Sequence, residues 1–150
     1  MGAISSVRQR LQDQGIGINI FYDQATEGEE RPYIVLMQDS LEPHNRHNGP
    51  SKLDRVQVRV LVFADRYETA GAIEGAYTIG GNVRAALDYF TRNNEIEVYF
   101  QNEALESVTD KGNKRAFMIE QYYDVWDYRQ PDGVIVGTVL ESDLEADLQG

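Results

Sequence analysis

The clearest pattern in the chain is an alternation of apolar and polar positions between residues 53 and 64. Small apolar residues occupy one face: Val56, Val58, Val60, Val62 and Ala64. Polar residues occupy the first half of the other face, which turns apolar only at Leu61 and Phe63: Arg55, Gln57 and Arg59. A period of two with β-branched residues on one side predicts a half-buried strand.

The next segment changes to helical spacing. Asp65 and Glu68 stand three residues apart, as a capping box at a helix N-terminus requires. Apolar or small residues then recur about every 3.6 positions: Ile73, Ala76, Tyr77, Gly80, Val83, Leu87 and Phe90. We predict the longest helix of the chain here, capped at residues 92–94, with its apolar stripe packed on the sheet.

The remaining patterns predict one short helix and further strands. Ile4, Val7 and Leu11 indicate an amphipathic N-terminal helix that stops at Gly15 and Gly17. Strands are predicted at residues 18–22, 33–41, 95–108 and 115–128, with one more candidate at 134–140. The expected fold is α+β: a largely antiparallel sheet covered on one face by the long helix and the short N-terminal helix.

The pattern predicts a single domain at residues 1–130, followed by an acidic C-terminal extension at 131–150. Residues 141–150 contain four carboxylates and no basic residue. A segment of that composition is not expected to pack on its own domain.

Residues 42–52 form the loop that is the strongest candidate for a functional or disordered segment, because it is longer than most hairpin loops and has no periodicity. Its polar and charged residues are candidates for an interaction with a partner: Glu42, His44, Arg46, His47 and Lys52. The two histidines are candidate metal ligands, but no cysteine or third histidine completes a ligand set. We therefore expect an interface or solvated loop and no metal site.

Strand 115–128 carries large side chains on both faces. One face holds Phe117, Ile119, Tyr123 and Val125, and the other holds Met118, Tyr122, Trp126 and Tyr128. We expect the first face to meet the helix and the second to meet something outside the domain. Because Asp124 and Asp127 lie beside these aromatic residues, a protein partner is favoured over nucleic-acid bases.

Composition narrows the function further. The formal net charge of −11 argues against a protein held on DNA by phosphate contacts, although DNA would pass such a surface without sticking. The absence of cysteine excludes disulfides and thiolate chemistry. No apolar run approaches the roughly 20 residues that span a bilayer, so we expect a soluble protein without a membrane partner.

No motif in the sequence calls for catalysis. The glycines at 71, 75, 80 and 81 follow the predicted helix start and lack the Lys-Ser/Thr of a phosphate loop, so close helix packing is the favoured reading. Carboxylates of the last hairpin are expected to be solvated rather than a general acid/base pair: Glu97, Glu103, Glu106 and Glu120. We predict no enzymatic activity and no cofactor.

Several segments resemble the phage tail-completion, or tail-terminator, family of long-tailed bacteriophages and related gene transfer agents. The match comprises Arg-Pro-Tyr-Ile-Val-Leu at residues 31–36, the alternating strand at 54–64, and a helix from residue 70 with small residues before a Val-Arg-x-x-Leu ending at 83–87. The final hairpin at 95–128 has the expected place and length, so the resemblance covers about residues 3–128.

This resemblance implies a structural protein that forms a ring, typically a hexamer, at the head-proximal end of the tail tube. Such a ring stops tube polymerisation and presents the surface that joins the tail to the head. The implied partners are further copies of the chain, the tail tube protein and the head–tail connector or neck protein, with DNA passing through the lumen unbound. The implied location is the virion, after assembly in the host cytoplasm.

Two other readings stay open. One is a neck or head–tail connector protein, or a terminator-like part of a contractile secretion device, which would bind a portal rather than tube ends. The other is a small α+β ligand-binding module or enzyme with a pocket under the sheet, which predicts a stable monomer or dimer and a saturable ligand. For the favoured reading the predicted contact residues are Glu42, His44, Arg46, His47, Lys52, Arg84, Tyr122, Trp126 and Tyr128.

Overall fold

The computed structural model describes residues 2–26, 29–43, 53–64, 72–93, 95–109 and 115–128. Its helices and strands follow one another as α1 (Ala3–Asp13), β1 (Ile20–Tyr22), β2 (Tyr33–Pro43), β3 (Asp54–Phe63), α2 (Ala72–Leu87), β4 (Thr91–Arg92), β5 (Ile96–Thr109) and β6 (Arg115–Asp127). The predicted α+β class is confirmed. The proposed cap at Asp65 and Glu68, the candidate strand at 134–140 and the acidic extension lie outside the described residues.

Within the described part of the chain, the strands form one mixed sheet in the order β1-β2-β3-β6-β5-β4. β1 runs parallel to β2 at one edge, and every other neighbouring pair is antiparallel. The predicted pairing of β2 with β3 and of β5 with β6 is confirmed. The parallel pairing of β1 and the short strand β4 were not predicted, because local periodicity does not report which strands are neighbours.

The main core lies between the sheet and the two helices. The alternation in β3 is confirmed, since Val58, Val60 and Val62 are fully buried on the face that the helices cover. α1 adds Val7 and Leu11 to the same cluster, both with no exposed surface. We call this side of the sheet the helix face and the other side the open face.

The apolar stripe of α2 is partly as predicted. Ala76, Gly80, Val83 and Leu87 are buried, but Tyr77 is 48% exposed. Tyr77 stands about 100° around the helix from Ala76, at the margin of the apolar stripe. Its aromatic character suggested burial, but the geometry of the contact leaves it in solvent.

The end of α2 differs from the prediction of a cap at 92–94. The helix stops at Leu87, and Tyr89 adopts a left-handed conformation with φ of 64°. The chain is then held by β5, because Tyr89 N donates to Val98 O at 2.8 Å and Phe100 N donates to an Asp88 carboxylate oxygen at 3.0 Å. Long-range hydrogen bonds therefore end the helix five residues early.

Gly80 is where α2 approaches the sheet most tightly among its described glycines. A Cβ added there would lie 3.3 Å from both Gln121 Nε2 and Ile119 Cδ1, whereas one added at Gly75 or Gly81 would meet nothing within 4 Å. The predicted close packing is thus confirmed at Gly80 and not found at Gly75 or Gly81, and Gly71 lies outside the described residues. The helix continues through Gly80 and Gly81 without a break.

A buried amide ties this contact together. Gln121 has no exposed surface, and its Nε2 donates to Gly80 O at 2.9 Å and to Glu103 Oε1 at 2.8 Å. Its Oε1 accepts the hydroxyl of the buried Tyr123 at 2.6 Å. Because every polar group of the side chain is used, Gln121 fixes α2, β5 and β6 relative to one another without an unsatisfied buried group.

Candidate interaction surface

The open face of the sheet carries the side chains that the fold does not need for its main core. It has three zones along the strands: a closed apolar end, a row of paired charges and an aromatic end. Each zone comes from the second face of the alternating strands, so its position follows from the register of β2, β3, β6 and β5.

The apolar end is covered by the chain itself. Tyr33, Val35, Leu61 and Met118 form a second buried cluster, with exposed fractions of 9% or less. Phe21 in β1 and Ala25 just after β1 pack on this cluster, and Tyr33 stacks on Phe63 with ring centroids 4.8 Å apart. This end of the open face is therefore occupied and offers little to a partner.

Arg59 forms the centre of the charge row. Its Nη2 lies 2.8 Å from Asp39 Oδ1 and its Nη1 lies 2.9 Å from Glu120 Oε2, so one guanidinium joins strands β2, β3 and β6. The three side chains are between 12% and 28% exposed. Hydrogen bonds to the carboxylates of Asp39 and Glu120 raise the pKa of Arg59 above its ordinary value.

Arg55 repeats this arrangement four residues earlier in β3. Its Nη2 donates to Asp124 Oδ2 at 2.9 Å, and its Nη1 lies 3.5 Å from Glu42 Oε1. The hydrogen bond with Asp124 is the main reason that the pKa of Arg55 is raised. Asp124 is 9% exposed whereas Glu42 is 62% exposed, so the inner pair is the fixed one.

The aromatic end gathers around Glu97. The carboxylate oxygen Oε1 of Glu97 accepts the hydroxyl of Tyr99 at 2.9 Å and that of Tyr128 at 3.4 Å. Trp126 stands opposite Glu97 in the register of β5 and β6, and Tyr122 lies next to the Arg59 guanidinium at 5.8 Å. We call Tyr99, Tyr122, Trp126 and Tyr128 the aromatic belt.

The belt is electrostatically coupled to Glu97. The hydrogen bond to Glu97 raises the pKa of Tyr99, and partial burial followed by the charge of Glu97 raises the pKa of Tyr128. Tyr128 remains 38% exposed. These phenols therefore stay neutral hydrogen-bond donors at neutral pH, on a surface that is both apolar and polar, as protein interfaces often are.

Four of the predicted contact residues lie on the open face: Glu42, Tyr122, Trp126 and Tyr128. Glu42, which was predicted to open the loop, is part of β2 together with Pro43. Arg84 lies on α2, with its guanidinium 3.9 Å from the Phe100 ring centre and 3.8 Å from Asp88, so it is not near the belt. The four loop residues His44, Arg46, His47 and Lys52 are outside the described ranges.

Sequence reasoning missed the charge row. Arg55 and Arg59 were assigned only to the polar face of a strand, and their carboxylate partners were not predicted. The alternation places both arginines on the polar face of one strand, but it does not show which carboxylates of the flanking strands lie beside them.

The register divides the four carboxylates that were considered for a general acid/base pair: Glu97, Glu106 and Glu120 lie on the open face, where Glu120 is bonded to Arg59, and Glu103 lies on the helix face. Glu97 and Glu103 lie on opposite faces of the sheet, since Glu97 faces Trp126 in the register and Glu103 faces Gln121. Among the described residues, no three His, Asp or Glu side chains come together as a metal site, and no helix is long and apolar enough to cross a membrane.

A family model for tail completion protein gp17 matches residues 4–118. The chain belongs to the tail completion protein gp17 family. This confirms the resemblance inferred from the strand and helix segments, and it makes the chain a structural protein of the phage tail with its place in the virion.

One solved structure supports the fold. A chain described as part of the virion of a native gene transfer agent particle is 11% identical, with a TM-score of 0.54, covering 85% of this chain and 99% of its own. A second solved chain is 12% identical with a TM-score of 0.46, covering 84% of this chain and 94% of its own. No curated protein matches the sequence at a significant level.

Proposed function

We propose that this family member caps the tail tube as a ring, ends tube polymerisation and presents the surface that joins the tail to the head. The observation that carries the proposal is the open face, where paired charges and the aromatic belt lie side by side on the face opposite α1 and α2. Family membership supports the tail as the place of action.

The open face is suited to burial against another protein. Interface cores are rich in Tyr, Trp and Arg and poor in unpaired charge. On this face Arg59 is already bonded to Asp39 and Glu120, and Arg55 is bonded to Asp124. A partner that covers the charge row therefore buries two arginines that are already paired with carboxylates, whereas an unpaired buried charge would be costly.

Tyr128 of the belt and the two described ends of the predicted loop lie at the same end of the sheet. Pro43 pairs with Asp54, and Asp54 pairs with Asp127, so the chain leaves β2 and re-enters β3 beside Tyr128. This register supports our proposal that residues 42–52 and the belt act as one contact region. We propose that this region meets the tail tube or an adjacent subunit, with Arg46 and Lys52 as its local cations.

The remaining parts of the proposal concern the assembled particle. We propose a hexameric ring at the head-proximal end of the tail, assembled in the host cytoplasm and bound to the head–tail connector on its other side. The net charge of −11 supports a lumen that DNA crosses without binding. Arg84, on the helix face, is proposed as a separate contact, and residues 131–150 as an acidic extension of the single domain.

Tube capping with matched variants tests the role of the open face. Tyr128→Ala removes a belt residue that is 38% exposed, whereas Tyr77→Ala removes an aromatic residue on α2 that is 48% exposed. Each variant is added to polymerising tube protein, and tube lengths are measured by electron microscopy. We expect Tyr128→Ala to require at least a tenfold higher concentration than the parent chain to cap the tubes. We expect Tyr77→Ala to cap them at the same concentration as the parent chain.

Deletion of residues 44–50 tests the loop. We expect the deletion to weaken ring formation or capping while the thermal unfolding temperature stays close to that of the parent. Unchanged assembly after this deletion would overturn the loop proposal. Equal capping by both tyrosine variants would overturn the role of the open face, and binding to portal rings rather than tube ends would make the protein a neck component.

A further inference from the structure

Most of the outer edge of β5 has no neighbouring strand within the described residues. β4 pairs only with Ile96 and Glu97, and the segment before β4 reaches Val98 and the amide of Phe100. Beyond that point β5 continues to Thr109. A long unpaired edge presents backbone donors and acceptors to any strand that approaches it.

The register identifies the backbone groups that point outward. Ala64 N donates to Phe117 O, so Phe117 and every second residue after it in β6 direct their backbone groups toward β3. The residues of β5 opposite that set must then direct theirs away from β6: Glu103, Leu105 and Ser107. Their side chains lie on the helix face, where Leu105 packs on the main core.

The other edge of the same sheet is β1. Ile34 N donates to Asn19 O and Asp23 N donates to Leu36 O, so the intervening residues Ile20 and Tyr22 direct their backbone groups away from β2. Their side chains also lie on the helix face, because Ile20 stands beside Ile34 and Tyr22 beside Leu36. The carbonyl of Tyr22 is already used by Gln24 N at 2.7 Å, which leaves three outward groups on these two residues.

These two edges are complementary in direction and in face. Across the sheet, β2 and β6 run in the same direction as β1, whereas β3 and β5 run in the opposite direction. A second copy in the same orientation would therefore bring its β1 antiparallel to β5. Residues paired in an antiparallel ladder share a face, and the outward residues of both edges carry helix-face side chains, so the helices would stay on one side of the joined sheet.

The edges are also complementary in charge. β5 contains three glutamates and no basic residue. Beside β1, the guanidinium of Arg8 lies 5.2 Å from the Tyr22 ring centre, and its buried Nε has no hydrogen-bond partner within the described structure. A glutamate of an adjacent copy would face this cation across the proposed junction.

We propose that the outer edge of β5 in one copy pairs antiparallel with β1 of the next copy. The contact joins two different surfaces of the chain, so its repetition gives a ring where the rotation closes, or an open filament where it does not, rather than a two-fold dimer. It rests on the ring proposed above and names the surface that closes that ring. The match between two edges of one chain favours a second copy over a strand of the tube protein.

Disulfide trapping tests the junction directly, because the chain has no cysteine of its own. Tyr22→Cys is combined in turn with Glu103→Cys, Leu105→Cys and Ser107→Cys. Within one copy the two edges are separated by four strand spacings, about 19 Å, well beyond the roughly 7 Å between Cα atoms that a disulfide spans. A control combines Tyr22→Cys with Ala104→Cys, which is adjacent in sequence but on the open face.

The full-length variants are oxidised mildly in samples whose mass is measured by light scattering, with and without tube protein. We expect at least one of the three pairs to give a reducible ladder that stops at the ring size, while the Ala104 control gives at least tenfold less. Rings without a ladder above the control would overturn the edge contact and leave the ring intact. Absence of any oligomer, with and without tube protein, would overturn both proposals.

Discussion

The charge row predicts a large and specific cost for removing Arg59. Arg59→Met keeps the aliphatic stem but leaves Asp39 and Glu120 without their shared cation. Breaking a fully buried ion pair costs about 3–5 kcal/mol and breaking an exposed one costs about 0.2–1 kcal/mol. Because these three side chains are 12–28% exposed, we expect a loss of about 2–3 kcal/mol in the free energy of unfolding.

The matched control is Arg84→Met on the helix face. Arg84 is 53% exposed and stands 3.8 Å from Asp88, so its loss should cost at most about 1 kcal/mol. Both free energies are measured by urea unfolding at neutral pH and moderate salt. Adding Glu120→Gln to Arg59→Met should recover part of the loss, because it removes one of the two stranded charges.

Equal costs for Arg59→Met and Arg84→Met would refute this reasoning. That result would mean that solvent screens the charge row as it screens any surface pair. The open face would then lose the property on which its proposed burial against a partner depends, namely charges that are already fixed and paired before docking.

Two further predictions concern the contact between α2 and β6. Gly81→Ala should raise the free energy of unfolding by about 0.5–1 kcal/mol, because the site is helical and open. Gly80→Ala should raise it by less, or lower it, because Gln121 and Ile119 lie 3.3 Å from the new Cβ. Urea unfolding measures both free energies, and equal increases would contradict the close approach. Burial raises the pKa of Tyr123. The contribution of its neutral phenol to the free energy of unfolding is therefore fully present below the unfolded pKa near 10. It is lost as pH rises above that value, by at most about 1.4 kcal/mol per pH unit. Tyr123→Phe should flatten that alkaline slope and cost about 1–2 kcal/mol at pH 7 by leaving the Gln121 oxygen unbonded, and an unchanged slope would contradict burial of the phenol.

The elements that the sequence predicted well are those whose burial is decided locally. β3 alternates because one of its faces meets the helices and the other does not, so Val58 and Val60 mark the core without reference to any distant residue. The N-terminal helix and its stop at Gly15, with φ of 71°, follow in the same way from spacing and glycine chemistry.

The features that were missed depend on partners far along the chain. α2 ends at Leu87 because β5, which begins nine residues later, takes up the backbone of Tyr89. Arg59 finds Asp39 twenty residues before it and Glu120 sixty-one residues after it. No local period encodes such pairs, so the charge row became visible only when the register placed the three strands together.

The central claim is that this tail completion protein ends the tail tube by forming a ring on it. The most direct measurement is electron microscopy of tail tubes polymerised with and without the full-length chain, together with its mass from light scattering. We predict tubes closed at one end by a ring with a central opening, and no further growth from that end. Tubes that keep growing at both ends and carry no ring would contradict the claim.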